Sequence, residues 1–104
     1  MFRKSIVPLL ILLSACTLQP WEYEMDSSGF VLPSVCRHDL ALETAKIPVM
    51  LEPRGQNSKY DGFTIFEDGT PTTIIIMDDL VGWRYDDVLH HERCHVVAGP
   101  YWHL

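Results

Sequence analysis

The sequence predicts a small, single-domain α+β fold in which a β-hairpin, or short antiparallel sheet, packs against a C-terminal helix. Two segments rich in β-branched and aromatic residues, 62–67 and 72–77, flank the turn-forming pair Asp68-Gly69. The segment 85–98 then carries apolar and histidine residues at the spacing of one helical face. The chain has 104 residues, a length that permits one small core and excludes a second domain, a doubly wound sheet or a barrel.

The first 15 residues have the composition of an export signal. A basic start at residues 3–4 precedes an apolar run over 6–13 and small residues at 14–15. This run is too short to cross a bilayer as a helix, which needs about 20 residues, so we interpret residues 1–15 as a signal peptide. Removal of 15 of the 104 residues would leave 89, beginning at Cys16.

Residues 13–16 are Leu-Ser-Ala-Cys and resemble the lipobox of bacterial lipoproteins. The resemblance implies cleavage before Cys16 and acylation of its thiol, so that several acyl chains anchor the protein in a membrane. In bacterial lipoproteins an Asp directly after the Cys favours retention in the inner membrane. Thr17 stands at this position here, so the resemblance implies the periplasmic face of the outer membrane. The alternative is a plain secretory leader, after which Cys16 keeps a free thiol.

The charge balance excludes nucleic acid as a partner. The chain has 8 Lys and Arg against 14 Asp and Glu, and two of the basic residues lie in the leader, so the mature net charge would be −8. Nucleic-acid binding needs a basic surface that replaces counterions around phosphates. Hydrophobic residues make up 47% of the chain, which favours a packed domain over a disordered acidic tail.

After the leader we predict a lipidated tether over residues 16–35 and a globular domain over 36–104. The tether contains Pro, Gly and Ser and shows no steady hydrophobic period, and its aromatic residues at 21, 23 and 30 could dock it on the domain. The domain opens with 37–46, whose composition predicts a short amphipathic helix stopped by Pro48. Residues 49–51 predict a brief strand, which a polar loop follows.

The hairpin and the helix after it are predicted to form one packed unit. We expect a hairpin loop of about three to five residues. Its second strand contains three consecutive isoleucines at 74–76 and is apolar on both faces, so it should be the more buried strand, with the helix covering it. That helix should begin near 85–87, where two aspartates suit the helix dipole, and end at Ala98 before Gly99-Pro100.

The predicted helix contains His91-Glu92-Arg93-Cys94-His95, which matches the HExxH pattern of the zincin metallopeptidases. Residues i and i+4 stand one above the other on a helix, so His91 and His95 can reach the same Zn²⁺ at about 2.0 to 2.1 Å. Glu92 can take a proton from metal-bound water and pass it to a leaving amine. The order of strand and helix resembles the zincin core, which implies that an extended substrate pairs with the edge of the strand beside the helix.

A third protein ligand is needed if one coordination position is to remain for water. His103 is the candidate, because Gly99-Pro100 would let the chain reverse towards the metal. Metzincins place a glycine three residues and a histidine six residues after the second ligand, whereas the intervals here are four and eight. A gluzincin-type glutamate on a later helix is not expected, since nine residues follow His95. We therefore assign no zincin subgroup.

Neighbouring residues leave alternatives open. Cys36 and Cys94 would form a disulfide in an oxidising periplasm or remain two buried free thiols. His90 points about 100° away from His91, so we expect it at the surface or behind a ligand. The pair Asp78-Asp79 is expected to form a turn or, alternatively, to orient a ligand histidine.

Two functional hypotheses result. The first is a membrane-anchored zinc hydrolase, more specifically a peptidase, with His91, His95 and His103 on Zn²⁺ and Glu92 as general base. Its substrate would be an envelope protein or peptide. The second is a non-catalytic lipoprotein whose histidines hold a structural metal or none, and whose hairpin is a docking surface at the cell envelope.

Overall fold

The computed structural model describes residues 19–55 and 58–103. The predicted leader and Cys16 lie outside the described residues. None of the helices in the described ranges is long and apolar enough to cross a membrane. We label the strands and the α-helix in chain order. The elements are two 3₁₀ turns (Pro20–Glu22 and Ser34–Cys36), the strands β1 (Val49–Glu52), β2 (Gly62–Glu67) and β3 (Thr70–Met77), and the helix α1 (Trp83–Ala98).

The three strands form one mixed sheet in the order β1-β3-β2. β2 runs antiparallel to β3, as the hairpin pattern predicts, whereas β1 runs parallel to β3 on its other side. β3 occupies the centre, where its isoleucines at 74–76 are buried on both faces of the sheet. The α+β prediction is confirmed, and the sheet is mixed because β1 joins the hairpin in parallel.

The hairpin turn is shorter than predicted. β2 ends at Glu67 and β3 begins at Thr70, so Asp68 and Gly69 form the whole loop. Both have positive φ, 53° and 80°, as in a two-residue type I′ turn, for which Asp-Gly is a preferred pair. β3 also includes Pro71, which lacks an N–H to donate and pairs beside a register shift in β2.

One face of α1 covers β3, as predicted. Ile74 and Ile76 are fully buried and pack with Val88 of α1. Burial of such a side chain stabilises a fold by roughly 1.5–3 kcal/mol. Gly62 of β2 permits the close approach, since a Cβ there would lie 2.9 Å from Cγ1 of Val88. The helix begins at Trp83, two residues before the predicted start.

The opposite face of α1 packs against the N-terminal segment. Leu32, Cys36, Leu40 and Cys94 are fully buried in a second hydrophobic cluster. A disulfide joins Cys36 to Cys94, so the structure contains the bridge and not two free thiols. The helix therefore lies between the sheet on one side and this segment on the other.

The prediction of a short helix over residues 37–46 is wrong. Residues 41–46 form successive turns instead. The hydroxyl and the amide of Thr44 both donate to the carbonyl oxygen of Leu40, at 2.8 and 3.1 Å, and such local side-chain bonds compete with helix formation. So short a segment also gains too few hydrogen bonds to offset the cost of helix nucleation.

Packing extends into the segment predicted as a tether over 16–35. Leu32 is fully buried and Asp26 is 8% exposed. An isolated bridge between Met25 and Val31 closes a small loop that contains Asp26. The predicted boundary at residue 36 therefore does not mark the edge of the packed domain, because the second hydrophobic cluster includes Leu32.

Candidate metal centre

Three histidines converge at the C-terminal end of α1, as the sequence predicts. One ligand nitrogen from each of His91, His95 and His103 lies within 4.8 Å of the others. His91 and His95 stand one helical turn apart, so their rings share a face of α1. The chain leaves the helix at Gly99, whose φ of 96° is one that residues with a Cβ rarely adopt. The turn that follows returns His103 to the same face.

The Nε2 atoms of His95 and His103 lie 3.0 Å apart. Nδ1 of His95 is 3.0 Å from the carbonyl oxygen of Gly99, an acceptor that requires Nδ1 to carry the proton, so Nε2 presents its lone pair. Two nitrogens bound to one tetrahedral zinc at about 2.0–2.1 Å are separated by about 3.3 Å. The spacing of these two atoms therefore fits a shared zinc ion.

Asp26 holds the ring of His91 from behind. Its Oδ2 atom lies 2.7 Å from Nδ1 of His91, which leaves Nε2 as the nitrogen able to bind a metal. The Asp26 carboxylate also accepts hydrogen bonds from the backbone amides of Ser28 and Phe30, each at 3.0 Å. Carboxylate partners of this kind set the tautomer and orientation of metal-binding histidines.

The charge of Asp26 suits this position. Burial alone would raise the pKa of Asp26, but the hydrogen bond with His91 and those from the backbone amides outweigh burial and lower the pKa below its ordinary value. Asp26 is therefore ionised at neutral pH, and its negative charge strengthens the electron donation of His91 towards a cation.

Asp26 was not predicted from the sequence as a partner of His91. Asp78-Asp79 was the predicted alternative partner of a ligand histidine, but Asp79 pairs instead with Arg54, at 2.7 Å. The Asp-Ser-Ser-Gly stretch at 26–29 is a turn signal. Nothing in the sequence connects that turn to a histidine 65 residues away.

The environment of His95 and His103 favours the neutral imidazole. Burial lowers the pKa of His95 to about 4; His91 and His103 add to the shift, and the Gly99 carbonyl opposes it. Burial also lowers the pKa of His103. Because a metal binds the deprotonated ring nitrogen, protons compete weakly for His95 at neutral pH.

Two aromatic side chains wall one side of the histidine cluster. The ring centroid of Phe30 lies 4.4 Å from that of His103. The ring of Trp102 lies 4.9 Å from His91 and 4.8 Å from His103. Packed rings restrict the rotamers of the histidines and exclude water from this side. Phe30 belongs to the same loop as Asp26, so one N-terminal loop supports two of the three histidines.

Glu92 is buried beside the first histidine, with 5% of its surface exposed. Its Oε1 atom accepts a hydrogen bond from the hydroxyl of Thr64 in β2, at 2.9 Å. Burial raises the pKa of Glu92 above its ordinary value, against the opposing effects of His91 and Thr64. A carboxylate with a raised pKa can both accept and return a proton near neutral pH. The contact of Thr64 with Glu92 was not predicted from the sequence.

A cleft of about 440 Å³ opens in front of the histidines and is lined by residues of α1 and β2. This volume is in the usual range for ligand sites. Glu92 and the three histidines line it together with Thr64, Phe63 and Phe66 of β2. Within the described residues β2 pairs with β3 alone, so its other edge is open to a further strand. The arrangement combines three nitrogens that could hold a metal ion, a buried carboxylate and an open cleft.

Two other predicted side chains lie away from the cluster. His90 is 3% exposed, so it does not lie at the surface; its Nε2 atom is 2.6 Å from the carbonyl oxygen of Cys36. Cys94 is bonded to Cys36. Both side chains therefore fasten the N-terminal segment to α1.

No family model, curated protein or solved structure matches this chain. The chemistry of the site is therefore inferred from its side chains and their positions. Three histidines that could share one metal ion are a donor set that also occurs in catalytic zinc sites.

Proposed function

We propose that the protein is a zinc-dependent hydrolase that cleaves peptide bonds, with His91, His95 and His103 as metal ligands and Glu92 as general base. The observation that carries the proposal is the position of Glu92, which lies beside three converging histidines and lines the same open cleft. Structural zinc sites are usually closed by four protein ligands. Within the described residues three ligands converge here, which favours a catalytic site over a structural one.

The histidines would hold the metal in a fixed position. A Zn²⁺ ion bound by three imidazoles lowers the pKa of water and polarises a carbonyl group. Asp26 and the Gly99 carbonyl occupy the Nδ1 atoms of His91 and His95. Each of these two rings therefore presents Nε2 to the cation without reorganisation.

Glu92 would move the proton. Its carboxylate accepts a proton from water as the water oxygen bonds to the carbonyl carbon of the substrate. The proton then passes to the amide nitrogen as the C–N bond breaks, which releases the amine and restores the carboxylate. Thr64 holds one oxygen of Glu92 through its hydroxyl. The raised pKa of Glu92 makes its carboxylate a stronger base, which favours the transfer of the proton from water.

The substrate would bind as an extended strand. The open edge of β2 offers backbone N–H and C=O groups, and peptides commonly bind by adding a strand to such an edge. The cleft beside it is lined by Phe63 and Phe66, which provide apolar contacts for side chains. An envelope peptide or an unstructured protein segment meets these requirements.

We also propose that Cys16 carries a lipid anchor and places the protein at the periplasmic face of the outer membrane. The support is the lipobox-like segment 13–16. Labelled palmitate should be incorporated into the full-length chain expressed in a bacterium, and not into Cys16→Ala. Labelling of the variant to the same extent contradicts the anchor.

The experiment that decides the function is Glu92→Gln. This variant should keep its zinc, measured by mass spectrometry, and its melting temperature, while hydrolysis of a fluorogenic peptide library falls by at least about 100-fold. Glu67→Gln, an exposed glutamate at the end of β2, is the matched control and should keep full activity. Equal activity of Glu92→Gln and the control would refute the catalytic role.

Metal binding has its own test. The purified protein should contain about one zinc per chain, and His91→Ala or His95→Ala should remove it. Thermal melting with and without a chelator provides the second readout. A zinc-free protein that melts at the same temperature in both conditions would exclude a catalytic and a structural metal alike.

A further inference from the structure

Asp87 is a buried carboxylate in the cleft for which the proposed reaction has no use. It is 7% exposed and lines the cleft. Asp87 stands one helical turn before His91, on the same face of α1, so the two residues are about 6 Å apart along the helix.

The Asp87 carboxylate has few hydrogen-bond partners in the protein. Among the described residues its one hydrogen bond comes from the hydroxyl of Ser27, which donates to Oδ2. Arg84 reaches that same hydroxyl, at 3.3 Å, and not the carboxylate. Burying a carboxylate is unfavourable unless a cation or several donors compensate the lost hydration. One hydroxyl leaves room for a further positive partner.

The cations near this end of the cleft are engaged with other carboxylates. Arg54 bonds to Asp61 and to Asp79, each at 2.7 Å, and Arg84 pairs with Asp61. Two guanidinium groups thus face three carboxylates when Asp87 is counted. Neither guanidinium group forms an ion pair with Asp87 within the described residues.

The cleft lining combines carboxylates with an aromatic surface, and none of the described residues that line it is Lys or Arg. Arg and Lys side chains match such a surface, because their alkyl stems pack on apolar groups and their charged ends interact with aromatic faces and carboxylates. The lining includes aromatic Tyr60, Phe63 and Phe66 and acidic Asp61, Asp87 and Glu92.

We propose that Asp87 is a specificity-determining residue that binds a positively charged group of the peptide substrate, either an Arg or Lys side chain or the N-terminal ammonium. The inference rests on the proposed function, since it assigns a substrate class to the same cleft. An extended peptide advances about 3.3 Å per residue, so the cation lies within about two residues of the bond that is cleaved. The contact would be a charge-assisted hydrogen bond to the carboxylate.

Binding is best measured on the zinc-loaded Glu92→Gln protein, because this measurement does not depend on catalysis. The probes are acetylated and amidated hexapeptides of Ala and Phe with a single Arg placed at each position in turn. Matched peptides carry citrulline, which keeps the shape of Arg and lacks its charge. A third set has a free N-terminal amine and no Arg, so that the two sources of positive charge are distinguished.

We expect at least one Arg peptide, or the free-amine peptide, to bind about tenfold more tightly than its uncharged counterpart. Adding Asp87→Asn should abolish this preference and leave the affinity for the uncharged peptide unchanged. Adding Asp86→Asn, which neutralises the exposed neighbour on α1, should preserve it. Zinc content and melting temperature are measured for every variant.

Equal affinity for the charged and uncharged peptides, at every position of the Arg, overturns the proposal. This comparison uses no substitution at Asp87, so it remains valid if Asp87→Asn fails to fold. A preference that persists in Asp87→Asn overturns it as well. A charge preference that Asp87 controls, in a protein whose unsubstituted form hydrolyses none of the peptides, supports the cation site and refutes the hydrolase.

Discussion

Oδ2 of Asp26 lies 2.7 Å from Nδ1 of His91, although 65 residues separate the two along the chain. The contact joins a small N-terminal loop to the helix that carries two of the three proposed metal ligands, His91 and His95. The loop is closed by the bridge between Met25 and Val31 and by the backbone amides that donate to Asp26 itself. The candidate metal centre therefore depends on a segment whose composition is that of a tether.

Asp26→Asn should weaken zinc binding about 10- to 100-fold, the usual effect of losing a hydrogen-bonded carboxylate behind a metal ligand. The amide keeps the approximate shape of Asp26 but removes the charge that fixes the His91 tautomer. Competition with a chromophoric zinc chelator measures the affinity. Asp39→Asn, an exposed aspartate, is the control. Unchanged affinity in Asp26→Asn would show that this carboxylate does not prepare His91 for the metal.

The sequence predicts features that depend on local spacing. His91 and His95 share a face because residues four apart do so in any α-helix, and the hairpin forms around Asp68-Gly69 because its neighbours are strand formers. The prediction of a helix over residues 37–46 is wrong. It rested on helix propensity, a weak tendency that local hydrogen bonds and packing override.

The sequence does not predict contacts that depend on tertiary packing. Asp26 and Thr64 reach their partners across 65 and 28 residues, and their own segments have ordinary turn and strand compositions. The parallel pairing of β1 with β3 is equally invisible, because a short apolar strand does not specify the direction of its neighbour. The candidate metal ligands were therefore predictable, and the groups that orient their rings were not.

Loss of the disulfide should destabilise the domain by about 4 kcal/mol, because the bridge closes a loop of 58 residues in the unfolded chain. Cys36 follows the loop that contains Asp26 and Phe30, so the bridge to Cys94 holds this loop close to α1. Because the loop supports His91 and His103, zinc affinity should fall together with stability. Urea unfolding of Cys36→Ser/Cys94→Ser in the presence of chelator gives the stability, and a zinc competition titration gives the affinity. The control is Cys16→Ala with both other cysteines intact. An unchanged urea midpoint in the double variant would contradict the prediction.

The stability of the metal-free protein should fall as the pH drops from about 6.5 to about 4. Burial lowers the pKa of folded His95 to about 4, whereas the unfolded chain has the ordinary value of about 6.5. Over this interval the unfolded state binds the proton and the folded state does not, so unfolding becomes easier as the pH falls. The shift of His95 corresponds to at most about 3 kcal/mol.

Urea unfolding with chelator at a series of pH values measures this dependence. Burial also lowers the pKa of His90, which contributes with the same sign. His95→Gln should therefore remove part of the pH dependence and not all of it. The raised pKa of Glu92 contributes with the opposite sign, so the comparison with His95→Gln is the decisive one. An identical slope in His95→Gln and in the unsubstituted protein would rule out a neutral His95 in the folded protein.

Thr64→Val should shift the acidic limb of the pH–activity profile of the proposed hydrolase to higher pH. The Thr64 hydroxyl donates to Oε1 of Glu92 at 2.9 Å. Burial raises the pKa of Glu92, and this hydrogen bond opposes the rise. Valine has nearly the same shape and cannot donate, so the pKa of Glu92 should rise further. The ionised base would then form only at higher pH.

The measurement is kcat/KM for a fluorogenic peptide as a function of pH, with zinc content determined at each pH. We expect the acidic limb to move upward by about half a pH unit to one unit, equivalent to about 1 kcal/mol. Thr72→Val is the matched control, since its hydroxyl donates to the carbonyl of Ile65, at 3.4 Å, and not to Glu92. If Glu92 is the general base, loss of its hydrogen bond from Thr64 must alter the pKa seen in the acidic limb. An acidic limb that stays at the same pH while zinc remains bound would therefore mean that a group other than Glu92 titrates.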